Sequence, residues 1–439
     1  MTKQNSENTQ RRYPLDKLGL KARDFSRNAV KVADSLVEAG YEAYIVGGAV
    51  RDLLLGLHPK DFDVATNATP EQIKRVFRRS RIIGRRFRIV HVYMRDELIE
   101  VTTFRAPSLH DSNKHQQADA SGRLLRDNVY GSLEDDVWRR DFTVNALYYD
   151  STNKEILDFC DALSDIRNKR LSLMGDPLTR YQEDPVRLLR AVRFKSKLGF
   201  ELETNTKKPL HTHGHLLGNI PAARLFDEVL KMFIKGHGAA VYKDLREYDL
   251  FEHLFPATNP LVVSNHLHAH DVIKQAMLNT DERVAIGKNV SPVFFFAIML
   301  WAPIEKLAGK YLQSGATAIN AWTQAALEIF SAQQSVISVP RRIGIPAQNV
   351  VIMQARFQYM HGRRVFWLMQ QPRFRAGYDL MLLRVQFGLE KPEVAEWWTN
   401  IQTLDRDAQE DLAYKSRSGG KKSGKRKRRR RPRKKPSAS

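Results

Sequence analysis

The chain has 439 residues, a formal net charge of +22 and a pI near 9.9. At roughly 150 residues per domain this length implies about three domains, and the charge calls for a polyanionic partner: nucleic acid or an anionic membrane surface. A single cysteine, Cys160, excludes a disulfide framework and fits a reducing cytoplasm.

Residues 1–27, polar and without the apolar stretch of a signal peptide, are expected to be flexible. AYIV at 43–46 reads as a strand ended by Gly47 and Gly48. AVRDLLLG then reads as a short helix stopped by Gly56. DFDVAT at 61–66 returns as a strand. TPEQIKRVF at 69–77 is a second helix with Thr69 as N-cap and Pro70 at its first position. Residues 88–94 and 98–104 are β-rich runs joined by a turn at 95–97. A polar stretch at 107–123 reads as a mobile loop. Order resumes at 138–149, and NKEILDF at 153–159 closes the mixed region.

Past residue 161 the pattern turns helical, with proline starts and glycine stops continuing to about residue 414. The longest apolar run, PVFFFAIMLWAP at 292–303, is shorter than the ~20 residues of a membrane span, so it reads as a core helix and no transmembrane segment is expected. Residues 415–439 hold 14 Lys and Arg and no acid, a low-complexity tail expected to be disordered.

The chemistry concentrates in a few places. On a strand, residues two apart share a face, so Asp61 and Asp63 would stand side by side with Phe62 toward the core. Two such carboxylates repel unless a cation sits between them, and Mg²⁺ takes oxygen ligands while leaving room for phosphates. The plainer alternative is a solvated strand end. Gly47 and Gly48 link a strand to a helix and suit a phosphate, with Arg51 adding charge, or they are simply a tight turn. Glu100 lies between apolar Ile99 and Val101. It is either a third metal carboxylate or a cross-hairpin partner of Arg88 or His91.

In WRRDFTVNAL, Arg139 and Arg140 suit a triphosphate, Asp141 suits a ribose hydroxyl or the metal site, and Asn145 follows one helical turn later. The alternative is a helix N-cap at Asp141 with solvated arginines. In YQEDPVRLLRAVRF a helix starts at Pro185, capped by Asp184 with Arg187 near its first turn. That acid–arginine pair could meet a base edge, or be only a cap and a surface ion pair. The His-rich HTHGH (211–215) and HLHAHD (266–271) suggest a metal phosphohydrolase, but histidines at i, i+2, i+4 do not keep one helical face and no acidic set follows.

Taken in order, VGGAVRDLLLG, DFDVATNATPEQI, IEVTTFR, RRDFTVNAL and EDPVRLLRAVRF over residues 46–194 resemble the class II nucleotidyltransferases. This is the family of bacterial poly(A) polymerases and CCA-adding tRNA nucleotidyltransferases. The resemblance implies an α+β fold: a nucleotidyltransferase head with a mixed sheet (28–161), a helical neck (162–235), a helical RNA-binding body (236–414) and the basic tail (415–439). It implies that Asp61 and Asp63 hold the catalytic metals with Glu100 near them, and that Asp141 completes the centre. Gly47, Gly48, Arg51, Asp52, Arg139, Arg140 and Asn145 would bind the nucleotide, and Asp184 and Arg187 would read its base.

IIGRRFRIVHV at 82–92 and the tail are similar to the poly(A) polymerase branch. The expected activity is untemplated addition of AMP from ATP to RNA 3′ ends with Mg²⁺ or Mn²⁺, by a cytoplasmic monomer whose partners include RNA-decay factors. Lys425, Arg426, Lys427, Arg428, Arg429, Arg430 and Arg431 are the candidate RNA contacts of the tail, since phosphate contacts carry no sequence information. A CCA-adding enzyme is the alternative within the family, and a non-catalytic RNA-binding protein the alternative outside enzymology.

Overall fold

The computed structural model describes residues 10–84, 88–106, 116–118, 124–127 and 129–415. The 107–123 loop lies mostly outside these residues, and the tail from 416, with its seven candidate RNA contacts, lies wholly outside them.

The head runs β1 (Arg11–Pro14), α1 (Arg27–Glu38), β2 (Ala43–Val46), α2 (Gly48–Leu54), β3 (Asp63–Thr66), α3 (Pro70–Val76), β4 (Ser80–Ile83), β5 (Ile89–Tyr93) and β6 (Leu98–Thr103). A separate hairpin, β7 (Gln116–Ala118) and β8 (Leu124–Asp127), precedes α4 (Leu133–Arg139), β9 (Leu147–Asp150) and β10 (Glu155–Asp158). Eight strands form one sheet in the order β1-β10-β9-β2-β3-β6-β5-β4. Only β3 and β6 pair in parallel. The alternation of β6, with Ile99, Val101 and Thr103 buried, is the period of a half-buried strand.

Ser26 caps α1, accepting from the Ala29 N–H at 3.2 Å, and the Ala29, Val32, Ala33 and Leu36 stripe is fully buried against the sheet. α3 starts as its sequence requires, with Thr69 and Gln72 bonding reciprocally and Pro70 at the first position. The opposite face of the sheet buries Val46, Ala65, Phe104, Tyr148 and Leu157 under Val137 of α4.

Two expectations change here. Residues 11–27 are not flexible: β1 pairs with β10 and Phe25 stacks on Tyr149 with ring centroids 3.8 Å apart. RRYP shows no alternation, because its order comes from an edge pairing with a strand far along the chain. β3 also begins at Asp63, so Asp61 sits exposed ahead of the strand rather than on it, although Phe62 is buried as expected.

From Ala162 onward the described residues are helical apart from a two-residue parallel pair, Arg170–Leu171 with Glu201–Leu202. α5 (Ala162–Arg167), α6 (Pro177–Glu183) and α7 (Val186–Leu198) carry the chain away from the sheet. The apolar run becomes a 22-residue helix, Pro292–Gln313, which is long and apolar enough to cross a membrane by length and composition. Phe295 through Ile304 are all buried in the body, as a core helix requires. A separate core around Phe357, Met381, Trp398 and Ile401 holds the last helices together.

Candidate active site

A single cross-strand row carries the acidic part of the site. Val46 on β2 is opposite Asp63 on β3, Asp63 is opposite Glu100 on β6, and Glu100 is opposite His91 on β5. The next residue after Val46 is Gly47, so the carboxylates lie directly beside the glycine turn. The Asp63 carboxyl is pushed up to about 6, first by burial and then by Glu100, with Arg140 opposing and Asp61 adding to the rise. Burial and the neighbouring acids both disfavour the charged form, and Arg140 offsets only part of the rise.

Glu100 also meets His91, Oε1 to Nε2 at 3.4 Å, while Arg88 pairs with Glu71 instead. Among the described residues no three His, Cys, Asp or Glu side chains converge closely enough to hold a metal ion. Asp61, Asp63 and Glu100 are therefore neighbours but not a closed cage, and the histidine stretches form no such group either. An open pair of hard oxygen donors does fit Mg²⁺, which keeps waters and substrate phosphates in its shell.

Gly47 has φ +77°, and a Cβ there would lie 3.3 Å from Arg140 Nη1. Only glycine serves at such a position. Behind the turn runs a continuous polar chain. Arg51, 2% exposed, donates from Nε to Asp52 Oδ1 at 2.8 Å and from Nη1 to Asn145 Oδ1. Asn145 donates to Asp141 Oδ1 at 3.1 Å, and Arg190 donates to Asp141 Oδ2 through Nε at 2.8 Å and through Nη2. Arg51, Asp52 and Asn145 thus brace the turn from inside.

Asp141 is neither a solvated cap nor joined to the acidic row. Both its oxygens are engaged, the second by Arg190 of α7, and the Phe142 N–H adds a bond at 2.9 Å. Burial would raise its proton affinity, but Arg190 and the surrounding donors hold it well below the usual carboxylate range.

Arg140 is not solvated either. Nε meets the Tyr148 hydroxyl at 2.6 Å and Nη2 meets Asp136 at 3.0 Å. Burial opposes its charge, yet Tyr148 and Asp136 raise its pKa overall. Arg139 is pushed down to about 9, first by burial and then by Arg105, Arg187 and Arg180. A guanidinium stays charged at neutral pH even so, and such crowding of cations is relieved by an anion.

The neck differs from its expected form. Asp184 ends α6 and does not cap α7, which starts at Val186 after Pro185. The Asp184 carboxylate takes two parallel bonds from Arg224, at 2.8 and 2.7 Å. Arg187 instead donates to the Arg180 carbonyl at 2.7 Å and to Glu183 at 3.1 Å. The 184–187 side-chain pair is thus replaced by two others, because the helix break at Pro185 turns Asp184 toward the helix Ala222–Phe233. Arg180 ties neck to head, donating to the carbonyls of Arg139 and Arg140 at 2.8 and 2.9 Å. A cleft of about 430 Å³ remains between them, lined by Arg139, Asp141, Asp184, Arg187, Arg190 and Arg224 among others.

Sequence reasoning missed Arg180, Arg190 and Arg224. Arg187, Arg190 and Arg193 are spaced by three along α7, a visible signal of one basic helix face. Arg224 carries no such local signal.

Residues 43–172 match the family model "Poly A polymerase head domain", residues 199–261 "Probable RNA and SrmB- binding site of polymerase A", and residues 314–435 "Polymerase A arginine-rich C-terminus". Poly(A) polymerase I of Haemophilus influenzae is 44% identical over 89% of this chain and 87% of its own length. The Salmonella typhi protein of the same name is 42% identical over 89% and 85%. A CCA-adding enzyme of Bacillus pumilus matches at 38%, but over only 52% of this chain. Among solved structures, a tRNA nucleotidyltransferase complexed with a primer tRNA and an incoming ATP analog covers 84% of this chain and 98% of its own. It is 21% identical with a TM-score of 0.56, and shows the shared fold. By these matches the chain belongs to the bacterial poly(A) polymerase I family of nucleotidyltransferases.

Proposed function

We propose that Asp63 and Glu100 of the cross-strand row, with Asp61 just ahead of β3, form the catalytic centre of this polynucleotide adenylyltransferase. The enzyme transfers AMP from ATP to RNA 3′ ends without a template and releases pyrophosphate. The observation that carries the site reading is the register that sets Asp63 beside Glu100 and across from Val46, one residue before the glycine turn. The reading takes 28–161 as head, 162–235 as neck and 236–414 as body.

In this reading the triphosphate lies on the Gly47–Gly48 turn, with Arg139 at the mouth of the cleft neutralising it. Arg51, Asp52, Asn145 and Arg140 hold the turn rigid, so the α-phosphate stays in line with the incoming hydroxyl. The RNA 3′ oxygen attacks the α-phosphorus, the bond to the β-phosphate oxygen breaks, and pyrophosphate leaves. Divalent ions on Asp61 and Asp63, Mg²⁺ foremost and Mn²⁺ as a substitute, would supply Lewis acidity toward hydroxyl and phosphates. Asp141, locked to Arg190, keeps head and neck in register, and Asp184 and Arg187 present hydrogen-bonding groups to the adenine edge. Cytoplasmic action as a monomer, with RNA-decay factors among the partners, belongs to the same reading; the free thiol of Cys160 suits a reducing compartment.

The test is extension of a labelled unstructured RNA with Mg²⁺ and each nucleoside triphosphate alone. A long ladder with ATP only is expected. Extension only of tRNA lacking its 3′ end, stopping after a few residues, would overturn the reading in favour of CCA addition.

A further inference from the structure

Behind the glycine turn stands a buried tyrosine whose hydroxyl the catalytic reading does not use. The Gly47 N–H donates to the Leu147 carbonyl at 3.1 Å, which ties the turn to the start of β9. Tyr148, the next residue of β9, is fully buried in the core under α4. A phenylalanine would fill the same space without bringing in a polar group that needs partners, so packing alone does not account for the hydroxyl.

The hydroxyl joins two charged groups. It donates to Asp136 Oδ2 at 2.7 Å and accepts from Arg140 Nε at 2.6 Å. Burial holds the phenol well above its usual pKa, so it keeps its proton and donates it. Arg140 Nη2 donates to the same Asp136 oxygen at 3.0 Å, and Nη1 donates to the Asn145 carbonyl at 3.4 Å. The guanidinium carbon also lies 4.7 Å from the centre of the Tyr148 ring. Three nitrogens are therefore committed, which fixes the plane of the group as a lysine could not.

That plane is what meets the turn. Nη1 is the atom that a Cβ at Gly47 would approach to 3.3 Å, so the guanidinium forms the floor on which the turn sits. Asp136 carries one further tie, since its Oδ1 accepts from the Arg105 N–H at 3.4 Å, just past the end of β6. One buried carboxylate thus joins α4, β9 and the end of β6 beneath the turn.

We infer that Tyr148 and Asp136 are positioning residues for the triphosphate, acting through Arg140 to hold the Gly47 turn in its phosphate-receiving shape. Neither touches substrate. Their effect is preorganisation: the turn is set before ATP arrives, so binding does not have to order it. The inference rests on the proposed function in taking the turn as the seat of the triphosphate.

The test is equilibrium binding of ATP with Mg²⁺, without RNA, to the full chain and to its Tyr148→Phe, Arg140→Met and Tyr148→Phe/Arg140→Met variants. Tyr149→Phe is the control, because Tyr149 is 1% exposed on the other face of β9, stacked on Phe25. Tyr148→Phe is expected to weaken ATP binding on the order of tenfold, the size of one hydrogen bond to a charged group. Tyr149→Phe should bind ATP as the parent does. In the Arg140→Met background the loss of the Tyr148 hydroxyl should add nothing, since it acts through the guanidinium. In turnover kcat/KM for ATP should fall while KM for RNA stays unchanged. A lowered melting temperature with parental ATP binding would make Tyr148 a core residue only and overturn the inference. Losses that add in the double variant would overturn it as well. If Arg140→Met does not fold, Asp136→Asn takes its place: it should weaken ATP binding by itself, and parental binding by both it and Tyr148→Phe would be fatal. Binding is read without turnover, so a parent protein that binds ATP but adds no AMP would discredit the catalytic reading and not this one.

Discussion

On the rim of the sheet, Asp63 lies beside Glu100 with no ion pair of its own among the described residues, and its proton affinity is raised. In the head–neck cleft, Asp141 and Asp184 each take two bonds from one arginine, Arg190 and Arg224, and the affinities of both are lowered. The same residue type thus stands in opposite electrostatic states in the two regions. The rim is under-satisfied, which leaves its lone pairs for ions brought by solvent and substrate. The carboxylates of the cleft are already paired with arginines, which fixes the shape of its walls.

Breaking the rim should have the largest effect. Asp63→Ala should lower AMP incorporation about a thousandfold or more, since metal chemistry supplies several kcal/mol of barrier reduction. Steady-state extension of RNA checks this, and retention of activity within tenfold of the parent would end the division drawn above. The melting temperature of the metal-free protein should not fall, because the substitution removes repulsion and not a partner.

Breaking the cleft should show the reverse profile. Arg190→Met leaves the Asp141 carboxylate without its counter-charge and should cost about 3 kcal/mol of stability, with the Asp141→Asn/Arg190→Met pair costing less. Denaturant unfolding of the two variants decides it. Asp141 is depressed in the folded state, so its contribution is present above its unfolded value of roughly 3.9 and is lost as pH falls below it.

Arg224→Ala sharpens the comparison further, since it frees Asp184 while sparing the rim. Discrimination for ATP over CTP, read as the ratio of kcat/KM values, should fall on the order of tenfold. An unchanged ratio would mean that Arg224 only braces the helix Ala222–Phe233.

The smallest effect concerns acidity. The Asp63 value of about 6 lies above its unfolded value, so the folded state binds the proton more tightly. That contribution favours folding at low pH and is lost as pH rises through 6. The melting temperature of chelator-treated protein should therefore fall from about pH 5 to about pH 7 relative to Asp63→Asn, and added Mg²⁺ should remove the difference. A parallel pair of curves would show that neither burial nor the neighbouring acids raise the proton affinity of Asp63 in the folded state.

Much of the local architecture was legible. Glycine and proline punctuation located α2 and α3, β-rich composition around a turn located β5 and β6, and the 292–303 run pointed to a buried helix. These signals are short-range: a capping residue, a φ only glycine adopts, a run of β-formers. The candidate residues were legible as a set, because DFD, GG and RRD are close-set motifs in the chain.

Their partners were not. Asp141 meets Arg190 across 49 residues and Asp184 meets Arg224 across 40. β1 looked like a loose terminus because its order depends on β10. Sequence by itself determined which side chains could carry charge, turn or core. Only the tertiary structure decided which acids find an arginine and which are left facing each other, because that choice rests on strand register and helix placement. Those are set by burial of the whole core, not by any window of neighbouring residues.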